Sequence, residues 1–178
     1  MPTYLLLIAL TLFFPQPENE TFVCTPCGLT CDDTVHNSPG SCGQCGMQLV
    51  PKMTVAFKNL TLDEFCARMT ANPNAVIVDV RTPGEFQGSR TDVASFGHFK
   101  RAINISVDEI AARAGELAAY KDKEVLVYCS HNHRSPRASY ILGTLGFKNV
   151  NNMVGGVSTF APSPEQACLK KEFVFHDH

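Results

Sequence analysis

Residues 125–135 (VLVYCSHNHRS) leave few options for the fold around them. A valine-rich apolar run ends in a single cysteine, Cys129. A short polar loop follows, closed by Arg134, and residues 135–145 then read as a helix with no strand alternation. This pattern places a buried strand directly before a helix N-terminus. The unpaired backbone N–H groups there, with the positive end of the helix dipole, favour an anion. For a cysteine that anion is the thiolate, its reactive form. Arg134 adds a fixed positive charge with several donors, suited to a substrate oxyanion. The competing reading is a packed free cysteine that happens to end a strand.

The rest of the chain repeats the theme. Residues 75–80, 102–105, 125–129 and 150–153 read as strands, and residues 61–70, 107–119 and 135–145 as helices. Alternation of this kind predicts an α/β layered domain with a mainly parallel sheet. Sites in such folds lie beyond the carboxyl ends of the strands, where Cys129 falls. With 178 residues, 44% of them apolar, one full domain and a small appendage fit. The net charge is −2 and no basic footprint stands out, so nucleic acid is not expected as a partner. Residues 52–58 read as the linker between appendage and domain.

The loop between Cys129 and Arg134 holds four residues, Ser130, His131, Asn132 and His133. Cysteine phosphatases resemble a C-x5-R pattern, whose wider loop cradles a tetrahedral phosphate. The tighter loop suits a nucleophile carrying one extra sulfur. Other motifs stand in order around it. AVIVDV (residues 75–80) runs into Arg81-Thr82-Pro83-Gly84-Glu85-Phe86, and Gly97-His98 precedes Ala102-Ile103-Asn104-Ile105. Leu145-Gly146-Phe147-Lys148-Asn149-Val150 and then Gly155-Gly156 follow the loop. Together they resemble the rhodanese domain over residues 55–168.

The resemblance implies a three-layer rhodanese-like domain and a sulfurtransferase. Cys129 would take the outer sulfur of thiosulfate or a similar donor as a persulfide and pass it to a thiol or cyanide. No cofactor is needed for that step. Arg134 would hold the loop or the donor's sulfonate end. The amides and side chains of Ser130, His131, Asn132, His133 and Ser135 would surround the terminal sulfur. Many rhodaneses have Gly at the position of Asn132. Asn is the best non-glycine residue for a left-handed backbone, so the loop is expected to survive the change. His131 and His133 read either as anion-attracting groups or as solvated loop residues. Asp79 and Arg81 read as orienting the strand end, and His98 as a packed histidine.

The N-terminal part is a second story. Residues 4–14 (YLLLIALTLFF) are too short for a membrane span of about 20 residues but suit the core of a secretory signal. Residues 1–17 are therefore expected to be a signal peptide or an N-terminal anchor, and the protein periplasmic or envelope-associated. A miscalled start would make it cytoplasmic. Membrane association is expected only through residues 4–14.

Five of the eight cysteines lie in residues 24–45. Cys24, Cys27, Cys42 and Cys45 form C-x2-C-x14-C-x2-C, two knuckles that each place two sulfurs on one side of a turn. Residues 39–51 resemble the heavy-metal-binding domain, although Cys27 and Cys31 stand where that family often has Met and His. Residues 21–51 are thus expected to form a zinc-ribbon-like knob with Cys24, Cys27, Cys42 and Cys45 as ligands. Zinc is the default metal and copper(I) the runner-up. Cys31, Asp33 and His36 read as spare ligands or, preferably, solvated loop residues. If the chain is exported, disulfides compete with metal, but five is an odd count. Cys66 reads as core. For Cys168 a resolving role toward Cys129 is a minor reading. Residues 169–178 read as a frayed tail.

Overall fold

The computed structural model describes residues 20–90, 92–160 and 167–176. The apolar run 4–14 and the expected signal segment lie outside the described residues.

The main domain is built on a five-stranded sheet: β4 (Phe57–Leu60), β5 (Val76–Asp79), β7 (Ala102–Asn104), β8 (Glu124–Tyr128) and β9 (Asn149–Met153). Their order is β4-β9-β8-β5-β7, and every adjacent pair is parallel. Strands covered on both faces read as unbroken apolar runs, and the pleat divides them by parity. Val76, Val78, Val80, Val125, Val127 and Cys129 join one core with Ile110, Ala138 and Leu142. Those partners come from α3 (Ile110–Arg113) and α4 (Arg134–Thr144). Ile77, Leu126 and Tyr128 join the other core with Phe65, Met69 and Leu169, from α1 (Leu62–Ala71) and α5 (Ala167–Glu172). The result is the expected three-layer α/β domain. Each fully buried Val, Leu or Phe contributes about 1.5–3 kcal/mol relative to exposure.

The helix starts are written in the sequence. Thr61 and Glu64 form a capping box at α1. Thr82 and Glu85 form another at α2 (Pro83–Gln87), with Pro83 opening the helix.

Three elements differ from the sequence reading. Residues 57–60, read as linker or left unassigned, form the edge strand β4. Only Phe57 and Leu60 of it are buried, so it carries no apolar run to notice. The helix expected over 107–119 is α3 followed by a 3-10 turn, Ala114–Tyr120, that includes Gly115, a poor helix former. The stretch read as a tail carries the end of α5 and β10 (Phe173–Phe175). β10 pairs antiparallel with β6 (Gly97–Phe99) because Leu169 and Phe173 are buried against the sheet.

The N-terminal knob is a three-stranded antiparallel sheet of β1 (Phe22–Cys24), β2 (Val35–His36) and β3 (Leu49–Pro51), in the order β2-β1-β3. Its core is Phe22, Leu49 and the sulfurs of Cys24, Cys27, Cys31 and Cys42. A core this small does not hold a fold by apolar burial alone. No helix of the described residues is long and apolar enough to cross a membrane.

Candidate functional site

Cys129 follows directly on β8, five residues before α4 begins at Arg134. Its carbonyl accepts from the Val157 N–H at 2.9 Å, and that of Ser130 accepts from the Ser158 N–H at 3.0 Å. Both carbonyls are thereby turned toward the turn after β9. Among the described residues, no acceptor takes the backbone N–H groups of residues 130–135. They are free to serve an anion in the loop. The Ser135 hydroxyl donates to Cys129 Sγ at 3.3 Å.

In the folded chain the thiol is covered. Cys129 is 1% exposed, and Ser130 and Ser135 are buried beside it. His131 and His133 are the loop residues that are exposed.

Arg134 holds the loop. It forms a bidentate pair with Glu85, 2.7 Å on each side, and donates to Ser130 Oγ at 2.6 Å. Burial pushes the Glu85 carboxyl up, but the Arg134 guanidinium and the Thr82 bonds overcome this and hold it at about 2. Glu85 is therefore a carboxylate, and Arg134 is already neutralised. Of the two roles expected for Arg134, the structure supplies the loop-holding one. Glu85 itself was legible only as part of a motif. The Thr82-x-x-Glu85 capping box could have placed it at a helix start, but nothing local shows that it reaches a loop 49 positions on.

One glycine and one asparagine complete the support. A Cβ on Gly156 (φ +74°) would lie 2.4 Å from the Ser130 carbonyl oxygen and 2.7 Å from that of Cys129. Only glycine lets the turn after β9 touch the reactive loop. Asn132 has φ 60°, the left-handed conformation expected there. Asp79 and Arg81 are fully buried and paired, and Arg81 also donates to the carbonyls of Ser95 and Gly97. They fix the strand end and the segment that faces the loop. His98 stacks on Phe86 at 4.3 Å, and burial pushes its pKa down. It is a packed histidine.

Two clefts flank the loop. One, of about 370 Å³, is lined by Ser130, His131 and Arg134 with Val93, Ala94 and Phe96. The other, of about 450 Å³, lies between loop and knob, where His131, Asn132 and His133 meet Cys27, Cys45 and Met47.

In the knob, the sulfurs of Cys24, Cys27, Cys31 and Cys45 all lie within 4.8 Å of one another. The Cys24–Cys45 and Cys31–Cys45 separations are 3.2 and 3.7 Å. Four thiolates around zinc at ~2.3 Å would stand roughly 3.8 Å apart, so the donor set fits that metal. Three of the four expected ligands are brought together. Cys31, read as a solvated loop residue, is 3% exposed and belongs to the group. The 3-10 turn Thr30–Asp33 swings it inward, which spacing does not reveal. Cys42 is a buried fifth sulfur beside them. Backbone N–H groups of Cys45 and Gln44 pull its thiol down to about 7. Burial pushes Cys27 up to about 12 and Cys31 to about 11. Asp32 caps the first knuckle by accepting from the N–H groups of Cys27 and Gly28. His36 lies in β2, apart from the sulfur group.

Cys168 is bonded to Cys66, which ties α5 to α1. That bond lies on the sheet face opposite the side chain of Cys129, so Cys168 is no resolving partner.

A parallel α/β sheet that ends one strand in a cysteine, under a short arginine-closed loop at a helix N-terminus, defines a class of cysteine-loop domains. The family match says which one. Residues 61–162, more than half of the chain, match the family described as the rhodanese-like domain, and the chain belongs to that family. A Schizosaccharomyces pombe protein provisionally named a mitochondrial thiosulfate sulfurtransferase is 31% identical over 107 residues, covering 55% of this chain and 75% of that protein. A tRNA uridine(34) hydroxylase of Cronobacter sakazakii is 29% identical over 110 residues, covering 60% of this chain. The chain spans only 29% of that relative's length. In fold it is similar to a Rhodopseudomonas palustris protein of unknown function, suggested to be a tyrosine phosphatase. The TM-score is 0.50 at 21% identity, over 60% of this chain and 81% of that one.

Proposed function

We propose that this protein is a sulfurtransferase in which Cys129 is the nucleophile. The thiolate attacks the outer sulfur of thiosulfate or a related donor. The donor's S–S bond breaks, sulfite leaves with the bonding pair, and Cys129 carries the sulfur as a persulfide. A thiol or cyanide then takes that sulfur and the thiolate returns. The observation that carries this reading is the loop itself. Four residues separate Cys129 from an Arg134 braced by Glu85 and Ser130, and the amides of residues 130–135 find no acceptor among the described residues. The short span disfavours phosphate. The buried thiol requires the loop to open during turnover.

Incubation with thiosulfate should add one sulfur, about 32 Da, to the intact chain, and Cys129→Ser should abolish the gain. No gain in the wild type refutes the enzyme and leaves a non-catalytic sulfur- or metal-binding module. So does a Cys129 that no small alkylating agent reaches in the folded protein. Hydrolysis of an aryl phosphate at comparable rates would favour a phosphatase or arsenate reductase.

We further propose a resident metal in the knob, zinc before copper(I), held by Cys24, Cys27, Cys31 and Cys45, which would staple the small sheet. Elemental analysis of protein purified without chelator tests it. We propose an exported, periplasmic or envelope location from the short apolar run of residues 4–14, with which a pairing of Cys66 and Cys168 would be consistent. Fractionation of the full-length protein checks that assignment.

A further inference from the structure

Asn132 connects the two sites. Its φ of 60° is a conformation in which glycine is the least strained choice, yet the position carries a side chain. That side chain spans from knob to sheet. Its Nδ2 donates to the Cys27 carbonyl at 2.5 Å, and its Oδ1 accepts from Asn152 Nδ2 at 3.0 Å. The same Asn152 nitrogen reaches Asn59 Oδ1 at 2.8 Å, which roots the chain in β9 and β4. Asn152 is fully buried. Cys27 in turn belongs to the sulfur group. Gly28, next to it, is pressed on Val154 so closely that a Cβ would lie 2.9 Å from a valine methyl. Whatever fixes the Cys27 sulfur therefore fixes the carbonyl that Asn132 grips. Freeing the Cys27 sulfur loosens that hold, leaving only the Asp32 bonds to the Cys27 and Gly28 N–H groups on this side of the loop. Arg134 and Gly156 hold it from elsewhere.

We propose that Asn132 is a positioning residue through which metal occupancy of the knob controls how readily the reactive loop uncovers Cys129. The proposal rests on the metal-centre reading. The coupling is reciprocal. If bound metal keeps the loop closed through Asn132, the closed loop must strengthen metal binding by the same factor.

The test uses the full chain, zinc-loaded and chelator-stripped, with a pulse of iodoacetamide and peptide-resolved mass spectrometry of Cys129. In the wild type, stripping should raise the Cys129 alkylation rate by about fivefold or more. In Asn132→Gly, which keeps the left-handed backbone but removes the bridge, the rate should be at least that of stripped wild type and should be the same with and without zinc. Its zinc affinity should fall by about the same factor as the coupling. Asn132→Asp, which keeps the size but loses the Nδ2 donor, should behave likewise. A side chain that merely stabilised the loop would change both metal states equally and leave the zinc dependence intact, which would overturn the proposal. Wild-type zinc-loaded protein whose Cys129 rate ignores stripping refutes the link alone. Protein that binds no zinc refutes the metal centre and the link with it.

Discussion

Replacing Glu85 by Gln takes one charge out of the brace on the reactive loop. Gln at this position can still complete the capping box with Thr82, so the start of α2 survives and the loss is confined to the Arg134 pair. The wild-type carboxyl is held at about 2 against an ordinary 4.5, in spite of its burial. A carboxyl held that far down is stabilised by about 3 kcal/mol. The Thr82 bonds carry a share, and Arg134 is 30% exposed, so about 2 kcal/mol falls to the ion pair. Glu85 has a lower pKa folded than unfolded. Its contribution is therefore complete above pH ~4.3 and is lost as the pH falls toward 2. Urea unfolding at several pH values measures this. Glu85→Gln should be about 2 kcal/mol less stable than wild type at pH 7, and the gap should shrink from roughly pH 4.5 downward and close only as the pH falls through about 2. Glu85→Ala should lose about 1 kcal/mol more, the worth of the cap. A gap below about 0.5 kcal/mol at pH 7, or one that acid leaves unchanged, would refute the brace.

Three further outcomes follow from the same geometry. Gly156→Ala drives a methyl into the carbonyls of Ser130 and Cys129 and should cost about 2 kcal/mol or more in urea unfolding, with persulfide formation reduced. Cys66→Ala/Cys168→Ala opens a link between residues 102 positions apart and should cost about 2–4 kcal/mol, while non-reducing peptide maps of the wild type should contain the linked pair. Cys31→Ser should leave less than about half a zinc per chain, whereas Cys42→Ser should retain more than half; the reverse order would reinstate Cys42 in place of Cys31.

The central strands β5 and β8 were legible because both faces of each are buried, which removes the need for polar residues. β4 was not legible, because an edge strand needs to bury only its two ends, Phe57 and Leu60. The tail was unreadable for a similar reason. Phe173 and Leu169 look like scattered apolar residues until α5 and β10 meet the sheet. In the site, Cys129, Arg134 and the left-handed Asn132 were marked by local chemistry and local backbone preference. The partners of those residues were not. Glu85, Gly156 and Asn152 reach the loop across tens of positions, and local spacing does not encode such distances.

By itself the sequence determined the layered α/β class, the cysteine at a strand end, the length of the loop after it and the presence of a thiol-rich knob. Each follows from neighbours within a few residues, where propensity and periodicity act. Tertiary structure alone decided that Arg134 is spent on Glu85, that the thiol is covered, that Cys31 joins Cys24, Cys27 and Cys45, and that the knob rests on the reactive loop through Asn132. Those outcomes depend on which surfaces pack together. Packing sums many weak contacts between distant segments, so no single stretch of the chain carries them.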